Sequence, residues 1–366
     1  MKVICDGLDL SEAVLKVSKA LAVKSPNPVL EGIKITAKQD SLTLIATDME
    51  LTIEKTIKAD VLMEGETVVV GKYFVDFAKK LEKEQVELSH LYDSQLQIKY
   101  SDSESELQIY PTDSFPEFKR EEVVNFFQTS QASFRNIIEK TVLSCSTDDS
   151  RPVLKGCLFE IENGVLTTVA LDGFRMSIVK AEVLSSGNFK AVIPAKTLLE
   201  IVRLLSDNDT DVKIYIQNNS LYAEVDNTVI YSRLIEGEFV KYNHILPNSF
   251  ANRVTVSKNA LLNSIERASI VARNDRFNVI KFDIKEDLMT VSAKSEVGNV
   301  NENVNIDLMG KDMLIAFNGK YIIEYLKIIN DEYVTLNINS PIESVVLNSI
   351  GNENFTYLIL PVRINA

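Results

Sequence analysis

The chain is poor in the residues that carry most enzyme chemistry. Of its 366 residues only two are histidine, His90 and His244, and three are cysteine, Cys5, Cys145 and Cys157. An odd number of cysteines without CxxC spacing argues against a disulfide framework or a zinc site, and leaves small, buried, apolar thiols as the expected role. No Gly-x-x-x-x-Gly-Lys-[Ser/Thr] phosphate loop occurs, and no Ser/His/Asp arrangement can be picked out. Catalysis therefore has little support. The carboxylates Asp48, Asp148, Asp149 and Asp172 are the remaining metal candidates, but capping turns is the commoner use of such residues; no metal or other cofactor is expected. Long apolar runs are missing too, none approaching the ~20 residues of a membrane span. The opening MKVICDGLDL carries acids where a secretory leader needs an apolar core. A soluble, cytoplasmic protein without membrane contact is expected.

What is present is ordinary globular composition, 45% hydrophobic and 25% charged, with length for two or three domains. The net charge of −13 argues at first against a nucleic-acid partner. Its distribution changes that reading, and the distribution follows from internal repeats.

LIATDMELTI around Asp48 and TVALDGFRMSI around Asp172 share one pattern, an apolar strand, a short polar corner and a second apolar strand, with Ala46 lying 124 residues before Ala170. TVSAKSEVGNV places Ala293 another 123 residues on. Gly32 and Gly156, in the strands upstream, are also 124 apart. A second segment repeats more tightly: VVVGKYFVDFAKKL, AVIPAKTLLEIVRLL and IAFNGKYIIEYLKII pass from strand to helix, with Lys72, Lys196 and Lys320 at intervals of 124. The apolar sets Phe74/Phe77/Leu81, Leu198/Ile201/Leu205 and Ile322/Tyr325/Ile329 give each helix one core-facing stripe. Another amphipathic helix is expected near 10–24, 132–144 and 258–276. Three α+β domains follow, over 1–120, 121–246 and 247–366, with short connectors at FPEFKREEV and HILPNSFAN.

After each repeat lysine an acid stands at +4 and a base at +7: Lys72, Asp76, Lys79; Lys196, Glu200, Arg203; Lys320, Glu324, Lys327. Those offsets share one helix face, opposite the apolar stripe. For a single helix, a solvated ladder of weak ion pairs is the simpler reading. The six helix windows together carry a net +8, however, which leaves −21 for the rest of the chain. A surface built from those helices attracts phosphate without reading bases. The cations expected to face DNA are Lys24, Lys72, Lys79, Lys80, Lys196, Arg203, Lys320 and Lys327.

TVALDGFRMSIV (168–179) admits two readings. Asp-Gly between apolar runs is a hairpin turn, and it could also be the rim of a surface pocket.

In its length, its threefold repeat, the VALDGFRMSI corner and the terminal LILPVR, the whole chain resembles the bacterial DNA polymerase III beta-subunit family, the sliding clamps. The resemblance implies a DNA-clamp fold of three similar domains, each with two helices packed on antiparallel sheets, and a head-to-tail homodimer forming a ring. It implies a non-enzymatic processivity factor that encircles duplex DNA without sequence specificity. The partners implied are the alpha-type subunit of the replicative polymerase, the clamp loader and other proteins with a clamp-binding peptide. For the peptide pocket the resemblance points to Leu154, Leu171, Gly173, Phe174, Arg175 and Met176, to Val240, His244 and Ile245, to Tyr321, Ile342 and Ser344, and to the terminal run Leu358, Ile359, Leu360, Pro361, Val362 and Arg363. Met176 would lie against Leu360, Pro361 and Val362. Many relatives have proline and arginine where Val240 and His244 stand, and often histidine in place of Phe174. Ile270 and Val271 match a helix position of the family's dimer contact, with Leu107 on the opposing strand.

Overall fold

The computed structural model describes residues 1–90, 95–118, 125–205, 210–217, 219–272 and 278–364. One order of elements recurs three times. The first copy is β1 (Lys2–Asp6), α1 (Gly7–Val17), β2 (Gly32–Lys38), β3 (Ser41–Thr47), β4 (Leu51–Lys58), β5 (Asp60–Met63), β6 (Gly65–Val70), α2 (Gly71–Ala78), β7 (Gln85–Ser89), β8 (Gln95–Tyr100) and β9 (Ser103–Tyr110). The second is β10 (Asn125–Ser130), α3 (Gln131–Val142), β11 (Gly156–Glu162), β12 (Val165–Leu171), β13 (Arg175–Glu182), β14 (Leu184–Ser185), β15 (Phe189–Pro194), α4 (Ala195–Leu204), β16 (Asp211–Gln217), β17 (Ser220–Val225) and β18 (Thr228–Arg233). The third is β19 (Asn252–Ser257), α5 (Lys258–Ala272), β20 (Val279–Lys285), β21 (Leu288–Ser295), β22 (Gly298–Met309), β23 (Met313–Asn318), α6 (Gly319–Ile328), β24 (Tyr333–Ile338), β25 (Val345–Ser349) and β26 (Asn352–Ile359). In this last copy the single long β22 stands where the others have two strands.

Packing groups the chain into two compact units, and the middle repeat contributes to both. One unit holds Met1–Ala132, Leu184–Ser186 and Leu199–Leu234; the other holds Ser133–Val183, Gly187–Leu198 and Ile235–Ala366. The sequence-based boundary at 120/121 lies outside the described residues.

The first unit is built on a 14-stranded sheet, β14-β10-β16-β17-β18-β4-β3-β2-β6-β9-β8-β7-β1-β5. Its seam between repeats is the antiparallel pair β4–β18, with Ile53 opposite Ile230. α1 buries Leu10, Ala13, Val14 and Val17, the i, i+3, i+4, i+7 stripe of an amphipathic helix. Its start is set by Asp6, whose Oδ1 accepts from the backbone N–H of Leu8 at 2.8 Å and of Asp9 at 3.2 Å, a cap typically worth ~1 kcal/mol. α2 opens at Gly71, where a Cβ would meet the Glu31 carbonyl oxygen at 2.6 Å.

The second unit carries a 12-stranded sheet, β15-β11-β12-β13-β26-β25-β24-β19-β22-β21-β20-β23. Here the seam is β13–β26, with Met176 opposite Leu358 and Val179 opposite Phe355. α5 packs beside α6 and buries Leu261, Ile265, Ala268 and Ala272.

The helix expectations need adjustment at their ends. The first helix starts three residues before its window and stops at Val17, followed by a short 3-10 turn over Ser18–Ala20. Lys24 therefore sits in the loop beyond and not on a helix face. α2 stops at Ala78, so Lys79 caps it and Lys80 lies past its end. α5 is described to Ala272; the remainder of its window, 273–276, lies outside the described residues, as does Ser206. The second-helix stripes are buried as expected except at Phe77, which is half-buried with its ring edge-on to Tyr100 at 5.2 Å.

Candidate functional site

The corner between β12 and β13 is locked by one side chain. Asp172 Oδ1 accepts from the backbone N–H of Phe174 (2.8 Å) and of Arg175 (3.0 Å). Asp48 does the same for Glu50 and Leu51 in the first repeat, at 3.1 and 2.8 Å. Gly173 adopts φ +94°, and an added Cβ would touch nothing within 4 Å. Backbone conformation alone thus favours glycine there, although Met49 takes φ +73° at the equivalent place in the first repeat.

Behind the corner lies an apolar floor. Leu154, Leu171, Met176 and Leu358 pack with Phe239, Tyr242 and Val346 into one buried cluster. The cluster occupies one face of the sheet, because Leu171, Met176 and Leu358 are cross-strand neighbours and adjacent strands present aligned rows. Met176 is only 2% exposed. This corrects the expectation that it presents a surface to ligand and lies against residues 360–362: it is floor, paired with Leu358. Ile359 is likewise buried. Exposed apolar side chains sit around that floor: Phe174 (58% exposed) on the corner, Val240 and Ile245 on either side of Tyr242, Ile342 (67%) ahead of β25, and Leu360. The C-terminal run is fastened over the corner, since Leu360 N–H donates to the Phe174 carbonyl at 2.8 Å and Val362 N–H to that of Ala316 at 2.7 Å. His244, Ser344, Pro361 and Arg363 belong to the same segments, with His244 and Arg363 exposed and the other two half-buried.

Arg175 is not a free polar group of the site. Its Nε donates to Asp172 Oδ2 at 3.0 Å, its Nη1 pairs with Glu324 of α6, and its guanidinium lies 4.3 Å from the Tyr321 ring centre. Burial works against this charge, but Tyr357 and Glu324 more than offset it and hold the pKa above its ordinary value. The arginine therefore clamps the corner to α6, and Tyr357, whose hydroxyl donates to the Tyr321 carbonyl at 3.0 Å, closes the cluster.

Phe239 and Tyr242 escaped the residue-by-residue reading. The repeat could have found them, because they lie 124 residues after Phe115 and Phe118. Tyr242 also turns the groove polar at one end: its hydroxyl donates to Glu160 Oε2 at 2.9 Å. Beyond it a groove of about 560 Å³ runs past Thr167, Lys180 and Thr356. The equivalent place in the first unit has a smaller floor, in which Val29, Leu30, Val68 and Phe115 are buried together. There Thr47 and Thr52 replace Leu171 and Met176, with their hydroxyls bonded to each other at 2.8 Å, and Glu50 replaces Phe174.

The helix cations are exposed but partly tied. Lys79 pairs with Asp76 at 3.0 Å, Arg203 with Glu200, Lys327 with Glu266 at 2.8 Å, and Lys320 lies 3.7 Å from Glu324. Lys72, Lys196 and Lys320 stand second in their helices. A cation there opposes the helix dipole, so helix stability does not explain these three. Leu107 is half-buried on β9; on α5, Ile270 is 65% exposed and Val271 half-buried.

Three family models match the chain in order: the N-terminal domain of the DNA polymerase III beta subunit over residues 1–119, its central domain over 128–241 and its C-terminal domain over 243–363. The chain is 32% identical over 356 residues to the beta sliding clamp of Staphylococcus aureus and 33% over 359 residues to that of Staphylococcus epidermidis, with 94% of each chain covered in both cases. A crystal structure of a putative DNA polymerase III beta subunit from Eubacterium rectale matches with a TM-score of 0.95 at 33% identity. The Bacillus subtilis DNA polymerase sliding clamp matches at 0.96 and 27%; both cover 100% of either chain. Fold and repeat thus define a clamp of three α+β domains. The chain belongs to the DNA polymerase III beta-subunit family, and its role is that of a DNA polymerase processivity factor.

Proposed function

We propose that two copies of this chain close head to tail around duplex DNA and hold a polymerase there by a peptide docked on the second unit. Ring closure is supported by the register of strand pairing. β4 pairs with β18 one repeat on, and β13 with β26 one repeat on. The corresponding strands of the third and first repeats are β22 and β9. Among the described residues, Gly298–Asn305 pairs only with β21 and Ser103–Gln108 only with β8. Free edges of this kind invite a partner strand, and a third pairing in trans joins two chains by identical contacts. Leu107, Ile270 and Val271 are the apolar side chains for that contact.

Within the ring, exposed lysines at the helix starts meet phosphate without entering a groove, which permits sliding. Lys72, Lys79, Lys80, Lys196, Arg203, Lys320 and Lys327 serve this role, and Lys24 does so from its loop. The exposed apolar rim around the Leu154–Met176–Leu358 floor takes the hydrophobic anchors of a short peptide from the alpha-type polymerase subunit, the clamp loader or other clamp partners. The protein works in the cytoplasm, without cofactor and without catalysis of its own. The test is loading onto nicked circular duplex by a cognate loader, followed by gel filtration. The protein should travel with the circle and be lost when the DNA is linearised. Equal retention on linear DNA, or none on circles, would sink the proposal.

A further inference from the structure

Cys145 and Cys157 take no part in anything assigned above. Their Sγ atoms are 3.4 Å apart. Cys157 is buried on β11, while Cys145, just past the end of α3, is half-buried. Between them the chain passes through the 3-10 turn Pro152–Lys155, which carries Leu154 into the floor of the peptide site. Two hydrogen bonds couple the thiols to that floor. Ser146 N–H donates to the Leu154 carbonyl at 2.8 Å, and the Ser144 and Ser177 hydroxyls meet at 2.8 Å on β13, the strand of Arg175 and Met176.

We propose that this pair is a reversible redox-modification site, in which a hydroperoxide oxidises Cys145, Cys157 resolves it as an intramolecular disulfide, and the bond displaces Leu154 and weakens the peptide site. The second half rests on the peptide-docking reading above; the first does not. In the first step the Cys145 sulfur attacks one peroxide oxygen, the O–O bond breaks, and Cys145 becomes a sulfenic acid as water leaves. In the second step the Cys157 sulfur attacks the Cys145 sulfur, the S–O bond breaks, and the departing hydroxide takes the Cys157 proton as a second water. Two thiols have then lost two electrons and two protons, and hydrogen peroxide has become two waters.

The division of labour follows from position. The hydrogen bond with Cys145, and burial after it, push the Cys157 thiol well up, which keeps it protonated and unreactive toward an oxidant. Cys145 is the thiol that solvent reaches. A disulfide bond is about 2.05 Å long, so closure from 3.4 Å needs a shift of about 1.4 Å. Cys145, in a turn held by its N–H bond to the Val142 carbonyl at 3.0 Å, is the end that moves, since Cys157 is fixed in the ladder opposite Ile193. The movement pulls Ser146 and, through its hydrogen bond, Leu154. Disulfides in reducing compartments are usually transient and sensing ones, which suits a switch better than a staple.

The test treats full-length protein with hydrogen peroxide, then counts thiols with N-ethylmaleimide after denaturation and measures intact mass. Alkylatable cysteines should fall from three to one, leaving Cys5, with a mass loss of about 2 Da that dithiothreitol reverses. A labelled peptide from the cognate polymerase should bind the oxidised protein about fivefold more weakly and recover on reduction. Cys145→Ser, at a half-buried position, should bind equally before and after peroxide. Oxygen addition to Cys145 without cross-linking, or a disulfide between chains, overturns the site. Unchanged affinity in cross-linked protein overturns its regulatory role. Should the peptide fail to bind even the reduced protein, the docking reading falls while the thiol count still decides the disulfide.

Discussion

Phe174 and Met176 stand two residues apart and answer to different forces. Phe174 is exposed at the rim, so Phe174→Ala should cost stability within ~0.5 kcal/mol yet lower peptide affinity by about tenfold or more, as expected when an apolar anchor contact is removed. Titration of a labelled polymerase peptide, with thermal melting alongside, checks both halves. Met176→Lys cannot separate the two effects, because a charge on the buried floor destabilises the fold itself. Tyr242 offers a cleaner probe. Burial, then its bond to Glu160, pushes its hydroxyl up to about 12. A folded-state value raised above the ordinary ~10 means a contribution fully present below pH 10 and lost as pH rises toward 12. Tyr242→Phe should therefore flatten the loss of stability across that window in urea melts at stepped pH. An unchanged slope would remove the bond from the account.

At the scale of elements, the run after β26 is held by only two described backbone bonds, yet it covers the corner of a neighbouring repeat. Deleting residues 360–366 should reduce peptide binding by about 100-fold while leaving oligomeric state and melting cooperativity intact. Loss of the fold in this variant would assign the segment to the core instead. The helices divide by how local their signals are. α2, α4 and α6 were legible from the 124-residue spacing, because each begins at the end of a strand and its stripe is complete within two to three turns. α1 was misplaced because its start depends on Asp6 at the end of β1, a short strand whose partners, β5 and β7, are remote in sequence.

For the whole molecule the proposed ring depends on the contact between copies. Sedimentation at micromolar concentration should give twice 41.0 kDa, and Ile270→Glu should shift it to the single-chain mass by placing an unpaired charge in an apolar contact. A dimer that survives this change would move the interface away from α5. Affinity for short duplex should be weak and fall steeply with salt. Replacing Lys196 and Arg203 together by glutamine removes four cations from a ring of two copies and should lower the salt slope by up to about four, while the protein stays folded with a small drop in melting temperature because the buried Glu200 loses its partner.

The linear sequence by itself determined the repeat, the class of fold and the net positive bias of the helix segments, because spacing and periodicity are local properties that survive translation along the chain. It also pointed to Asp172 and Gly173, since an Asx-capped turn needs only neighbours in sequence. Tertiary structure decided which apolar residues are floor and which are rim. Met176 and Phe174 are both large and apolar and stand two residues apart, but Met176 lies in β13 and packs with Phe239, Tyr242 and Leu358, whereas Phe174 stands on the corner ahead of that strand. It also decided that Arg175 serves α6 through Glu324, 149 residues away, and that Cys145 meets Cys157. Such pairings depend on which strands become neighbours, and that is fixed by the burial of the whole sheet rather than by any window of sequence.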